Sequence, residues 1–345
     1  MESRFYKIYK PNGIKKKSMK ANNLPLPNGS PILSLAYNSE LNMLAVGQMG
    51  DSKNKPNLSL WNPFEKKVIK IIEENAYQNI WALCFSYQGK HLVYSDKTKL
   101  FIYDISSDKK HEFKTDNSKI IRIISSKASP MIIVTGKYVE VIDIDSGENI
   151  WKFKGYQAES QTKNLEIQKL PAEWKIKTET LSYVNEPATV EIFDDGESVL
   201  IGGHNKAQIQ QIEISSGKII KEIFPAPIQG YFMSLGCNET VLAISSKIPY
   251  ANYLWELETE KRILPEIFNE RFGGYSSLCL HPKKRLLLSG SLAGFVSMQK
   301  LDDGGFIFSE KLHDGRVSQV AFSNVSKTFF SAGDDGKVRI IETGK

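Results

Sequence analysis

A pattern of short strands returns about every 40 residues from Pro31 onward, and this period constrains the fold more than any other property of the chain. The last copy is the clearest, with VSQVAFS at 317–323, TFFSAGDDG at 328–336 and KVRIIET at 337–343 reading as three strands joined by tight turns. First strands of the other copies begin near Ile32, Ile80, Ile120, Thr189, Gly230 and Ser276; counting on to Val317, the spacings are about 48, 40, 69, 41, 46 and 41 residues. Second strands read NMLAVG (42–47), KHLVYS, SPMIIVTG, ESVLIGG, ETVLAIS, KRLLLSG and KTFFSAG, apolar runs suited to strands covered on both faces. Groups of short strands that cannot bury both faces alone, repeated at an even period, predict stacked sheets arranged as a β-propeller.

Third strands end in an aromatic or aliphatic residue followed by a polar one: Trp61-Asn62, Tyr103-Asp104, Ile142-Asp143, Ile212-Glu213, Trp255-Glu256 and Ile341-Glu342, with Gln299-Lys300 departing from the pattern. In this the chain resembles the WD-repeat family over nearly its whole length, although the copies are degenerate and the family's Gly-His dipeptide is missing from its usual place. The resemblance implies a structural hydrogen-bond network in the last copy, made by His313 before the first strand, Ser331 on the second and Asp335 in the turn; Ile341 stands where Trp is usual. It also implies a non-catalytic scaffold that holds a protein or peptide on the face called the top, as one subunit of a larger complex.

At about 40 to 45 residues per blade, 345 residues are expected to form one all-β domain over 1–345, a seven-bladed β-propeller of four-stranded antiparallel blades. The last copy has only three strands, so the basic segment 1–28 is expected to supply the fourth and close the ring. Its candidates are RFYKIYK (4–10) and IKKKSMK (14–20), on either side of a Pro11-Asn12-Gly13 turn. Between the third and fourth copies, 157–186 fits no blade. Its partial alternation across Pro171 allows a protruding hairpin, a short helix or a degenerate eighth blade, and the family's geometry would place it on the top face.

Composition sets the outer limits: 41% hydrophobic and 24% charged residues are ordinary for a soluble domain, and no run approaches the roughly 18 apolar residues of a membrane span. Without an apolar stretch of signal-peptide length near Met1, the expected location is intracellular, cytoplasmic or, in a eukaryote, nuclear. Cys84, Cys237 and Cys279 lack metal-ligand spacing and read as buried free thiols. Much of the net charge of +6 lies in Arg4, Lys7, Lys10, Lys15, Lys16, Lys17 and Lys20. Lysines on an outermost strand protect its edge from aggregation; the same cluster would suit a phosphate backbone, without indicating one.

The histidines His91, His111, His204, His281 and His313 form no HxH or HExxH pattern, and GDDGK at 333–337 lacks the rest of a phosphate loop. No catalytic, cofactor or metal site is expected. The binding candidates are the residues just before first strands, which would line the top funnel: Tyr77, Asn79, Lys119, Gln229, Tyr231, Tyr275 and Arg316, together with Trp174 in the insert. Two alternatives stay open. One is an enzyme or a sensor of a metal or small molecule using the central channel; the other is a nucleic-acid-associated subunit using the N-terminal lysines.

Overall fold

The computed structural model describes residues 19–27, 29–50, 56–73, 78–96, 98–154, 187–193, 195–203, 209–223, 232–237, 240–246, 251–259, 261–263, 267–268, 274–323 and 328–343. Apart from one short 3-10 turn at Tyr87–Gly89, every regular element among them is a β-strand. The first repeat shows the plan: Ile32–Asn38, Met43–Gln48, Leu58–Asn62 and Lys67–Glu73 run as an antiparallel meander. Leu44, Ala45 and Val46 are successive residues of its second strand and all are buried, as a strand covered on both faces requires. The outer strand, by contrast, exposes Val68 and Ile69.

The same meander begins at Ala82–Phe85, Arg122–Ser125, Pro187–Ile192 and Tyr275–Leu280. In the last repeat Val317–Phe322, Thr328–Gly333 and Val338–Thr343 are joined by Met19–Asn23 from the beginning of the chain, which pairs antiparallel with Val338–Thr343. Of the second candidate segment, IKKKSMK, the described residues Met19 and Lys20 lie in this strand; residues 14–18 and the first candidate, RFYKIYK, lie outside the described residues.

The sheet beginning at Phe232–Cys237 breaks the expected uniformity. It has five strands, because Lys261–Arg262 and Ile267–Phe268 pair separately with opposite ends of Ala251–Glu256. Six sheets therefore have the expected four strands, rather than seven.

Why a polar residue closes each third strand is visible in the turns that follow. Asn62 Oδ1 accepts the N–H groups of Phe64 and Glu65, both at 3.1 Å; Asp104 does the same for Ser106 and Ser107, and Asp143 for Asp145 and Ser146. The side chain thus satisfies backbone donors that the turn leaves unpaired.

Buried side chains from each sheet interleave with those of the next. Leu58 and Leu60 share a cluster with Leu92 and Tyr94, Val93 and Ile102 with Ile132 and Val134, and Val139 and Val141 with Ile201 and Ile212. Leu200 and Ile209 pack with Leu242 and Ile244, Val241 and Leu254 with Leu278 and Leu287, and Leu288 and Val296 with Phe329 and Ile341. Finally, Phe330, Val338 and Ile340 of the last repeat pack with Leu44, Val46 and Trp61 of the first. Side chains also bridge first strands of neighbouring sheets: Ser34 Oγ donates to Ile80 O at 2.8 Å, Val320 N to Ser277 Oγ at 3.1 Å, and Leu35 N to Gln319 Oε1 at 3.0 Å.

One core position is poorly matched to its surroundings. Gln299 stands at the aromatic or aliphatic place of the third strand, is fully buried, and neither atom of its amide finds a hydrogen-bond partner among the described residues. A buried unpaired amide costs about 1–3 kcal/mol. Gln299→Leu is therefore expected to stabilise the protein by about 1–2 kcal/mol in urea unfolding; a midpoint at or below that of the wild type would refute this reading.

Candidate interaction face

The connection leading into each first strand and the turn between second and third strands lie at one edge of every sheet. In the last repeat a buried network ties the two together. His313 is 1% exposed; its Nε2 lies 2.8 Å from Ser331 Oγ and its Nδ1 2.9 Å from Asp335 Oδ1. Asp335 also accepts the N–H groups of Asp314 and Lys337, both at 3.2 Å. Gly333 leaves the space for the imidazole, since a Cβ there would fall 2.4 Å from His313 Nδ1.

Burial holds the His313 pKa below its ordinary value because it disfavours the charged form, and the hydrogen bond to Asp335 offsets this only in part. Burial alone would raise the Asp335 carboxyl, yet its bonds to His313 and to the backbone of Asp314 and Lys337 leave it lowered overall. His281, on the opposite sheet edge, is lowered by burial and by Lys284. Below about pH 6.5 the unfolded histidines take up protons that the folded ones still refuse, so stability rises with pH in that window and is lost on acidification. Melting temperature is expected to fall from pH 7 to pH 5, and less steeply in His313→Gln; parallel slopes would show that His313 does not contribute.

Other repeats use other residues, and some of their bonds run between neighbouring sheets. Asn79 Oδ1 accepts the Gly50 N–H at 2.8 Å, and the Asn57 amide donates to Gln78 O. Tyr94 and Glu73 are buried and Lys110 is exposed at the end of their chain; Glu73 accepts from both the phenol and the ammonium, the latter at 2.7 Å. In the third sheet Glu140 is fully buried and accepts from Asp116 N at 2.9 Å, Asn117 Nδ2 at 3.0 Å and the Thr115 hydroxyl. Asn117 Oδ1 in turn accepts the Tyr138 N–H at 2.8 Å. These groups were not singled out from the sequence. The available signal was a glutamate among the apolar residues Val139, Val141 and Ile142.

Of the expected funnel residues, Lys119 and Arg316 are exposed on this edge, and Arg316 pairs with Asp334 through two contacts of 3.3 and 3.2 Å. Asn79 is there as well, spent on Gly50. Tyr275 is not a funnel residue: it is 1% exposed and packs with Leu254, Leu278 and Leu287, because a bulge turns the start of its strand into the core. Tyr77, Trp174, Gln229 and Tyr231 lie outside the described residues, as do His204 and the insert 157–186.

The opposite edge carries a small cleft of about 210 Å³ lined by Ser86, Tyr87, Gln88, Lys90, His91, Pro130, Ile144 and Asp145. Ser86 Oγ is 3.4 Å from His91 Nδ1, and His91 Nε2 is 3.7 Å from Asp104 Oδ2. This line of Ser, His and Asp serves a turn: Ser86 is buried and its oxygen accepts the His91 backbone N–H at 3.0 Å, while Asp104 is committed to Ser106 and Ser107. Burial pushes the Cys84 and Cys279 thiols up to about 12 and about 11, so both are protonated at neutral pH and weakly nucleophilic. Among the described residues, no three His, Cys, Asp or Glu side chains converge to hold a metal, and no helix is long and apolar enough to cross a membrane.

The stretch containing His313, Ser331 and Asp335, residues 304–342, matches the family model for the WD domain, G-beta repeat. The repeated sheets and this match together make the chain similar to the WD-repeat β-propeller family. Its curated relatives include the WD repeat-containing protein 91 of Gallus gallus, 24% identical over 222 residues, a match covering 59% of this chain and 28% of the chicken protein. Those of Bos taurus and Danio rerio are 24% and 20% identical over 220 and 221 residues, again 28% of each relative. The match thus spans under a third of the length of these proteins. WD-repeat propellers in general are protein-interaction scaffolds.

Proposed function

We propose that this chain is a non-catalytic scaffold that holds a protein or peptide on the face carrying Lys119, Arg316 and Asn79, as an intracellular subunit of a larger complex. The observation that carries the reading is the contrast on that face between a pinned backbone and exposed charged side chains. His313 with Asp335, and Glu140 with Asn117, fix the connections from below, while Lys119, Lys137, Asp314 and Arg316 point their charges outward. A rigid frame lowers the ordering cost of binding, and charged rim groups set partner choice and encounter rate.

The proposed architecture is a single seven-bladed ring over 1–345, closed where Met19–Asn23 completes the last sheet. The continuous packing from each sheet to the next, including last to first, supports it. The insert 157–186 is proposed to extend the same face. Replacing 161–180 with a Gly-Ser linker is expected to leave melting unchanged and to weaken partner capture.

The test is affinity capture of the intact protein from its own cells after nuclease treatment, read by mass spectrometry. A stoichiometric protein partner is expected, and it should be lost in a Lys119→Ala/Arg316→Ala variant. That variant should lose less than about 1 kcal/mol of stability, since the Arg316–Asp334 pair is a surface ion pair. No partner, or undiminished capture by the folded variant, would overturn the proposal.

A further inference from the structure

We infer that the third repeat carries a dedicated docking site for an acidic peptide segment, built from Lys114, Lys119, Lys137 and Lys152 around Tyr138. Lys137 and Lys152 share the Tyr138 ring, and Lys114 and Lys119 flank the loop 115–117 that Glu140 and Tyr138 hold. The Lys119 carbonyl closes on Gly136, where a Cβ would fall 2.1 Å from it, so Lys119 sits against the turn that holds Lys137. Lys137 Nζ and Lys152 Nζ lie 5.4 and 4.5 Å from the centroid of the Tyr138 ring, and Lys152 also pairs with Asp116. All four lysines are exposed, and Lys114, Lys119 and Lys137 have no carboxylate partner among the described residues. Asp116 is the only exposed acid among the described residues 114–119.

The site is preorganised. Glu140, fully buried, holds Thr115, Asp116 and Asn117, and Asn117 holds Tyr138, so the loop and the turn that present the lysines are fixed before any ligand arrives. Four lysine charges outnumber the carboxylates of exposed Asp116 and buried Glu140, whose field also reaches Lys152, and this excess selects an anion. A carboxylate-bearing peptide fits better than a nucleic acid for two reasons. Three unpaired lysines neutralise few phosphates compared with the roughly 6–10 contacts of a typical duplex binder. The Tyr138 ring is already engaged by lysines, which removes it as a platform for base stacking.

The experiment uses the purified full chain and a fluorescein-labelled decapeptide of alternating Asp and Ser, followed by anisotropy. Binding is expected that weakens with salt as screening requires, and that falls by roughly tenfold or more in Lys119→Glu/Lys137→Glu. Lys119→Gln/Lys137→Gln should show a smaller loss in the same direction. Lys283→Glu/Lys284→Glu, the same charge change on an exposed turn of the opposite edge, should bind as the wild type. Equal loss in both charge-reversed variants would reduce the effect to net charge and overturn the site. So would an oligo-U decamer that binds more tightly than the acidic peptide. The inference rests on the reading of this face as the binding surface but fails separately. Absent peptide binding beside intact partner capture overturns the site alone, while peptide binding with no captured partner supports the site and overturns the scaffold reading.

Discussion

Removal of residues 1–23 is expected to lower the melting temperature by roughly 5–15 °C and to make the protein aggregate on heating. The lost strand pairs five residues with the last repeat, from Met19 opposite Thr343 to Asn23 opposite Arg339. Asn23 Oδ1 also accepts from the Arg339 guanidinium at 2.7 Å, and Arg339 reaches toward Asp335 at 3.8 Å. At about 0.5–1.5 kcal/mol net per hydrogen bond, the ladder amounts to about 3–6 kcal/mol, a large part of a domain's usual 5–15 kcal/mol. The deletion also uncovers the Val338–Thr343 strand, which carries Val338, Ile340 and Ile341, and opens its backbone groups. A shorter deletion of 1–18 separates the strand from the residues before it. The loss should appear between the two truncations, and a synthetic peptide of residues 14–28 added in trans should restore part of it. Equal melting of the 1–23 deletion and the intact chain would contradict the pairing.

Glu140→Ala is expected to cost about 2–4 kcal/mol in urea unfolding, one of the largest effects of any single side chain on this face. The carboxylate accepts from three donors in a site closed to water, and truncation leaves the Asn117 amide, the Asp116 N–H and the Thr115 hydroxyl without it. Glu140→Gln keeps the volume but turns one acceptor into a donor facing donors, so an intermediate loss is expected. Because the same bonds fix the loop before Lys119, both variants should also weaken acidic-peptide binding in the order of their stability loss. A Glu140→Ala protein as stable as the wild type would mean that the loop is held by something else.

The last repeat was legible from sequence because its chemistry is carried by residues of fixed type at fixed offsets. His313, Ser331 and Asp335 could be named before any geometry was known, and the apolar second strands announced sheets buried on both faces. The other repeats reach the same end with different atoms. Asn117 and Glu140 do for the third sheet what histidine and aspartate do in the last, Tyr94, Glu73 and Lys110 tie the first sheet to the second, and no motif marks any of them. Tyr275 shows a different limit. Its place before a strand suggested exposure, but the bulge between Tyr275 and Ser277 rotates the side chain inward, and one residue of register decides which side of a strand a side chain faces. The split outer edge after Ala251–Glu256 was equally hidden, since its two pieces are only two residues long.

The most direct test of the scaffold account is amide hydrogen exchange of the intact protein with and without its captured partner. The account predicts added protection in the connections 114–119 and 312–316 and the turns 136–138 and 334–337, all on one sheet edge. Protection confined to the opposite turns, 63–66, 105–109 and 144–148, would contradict it.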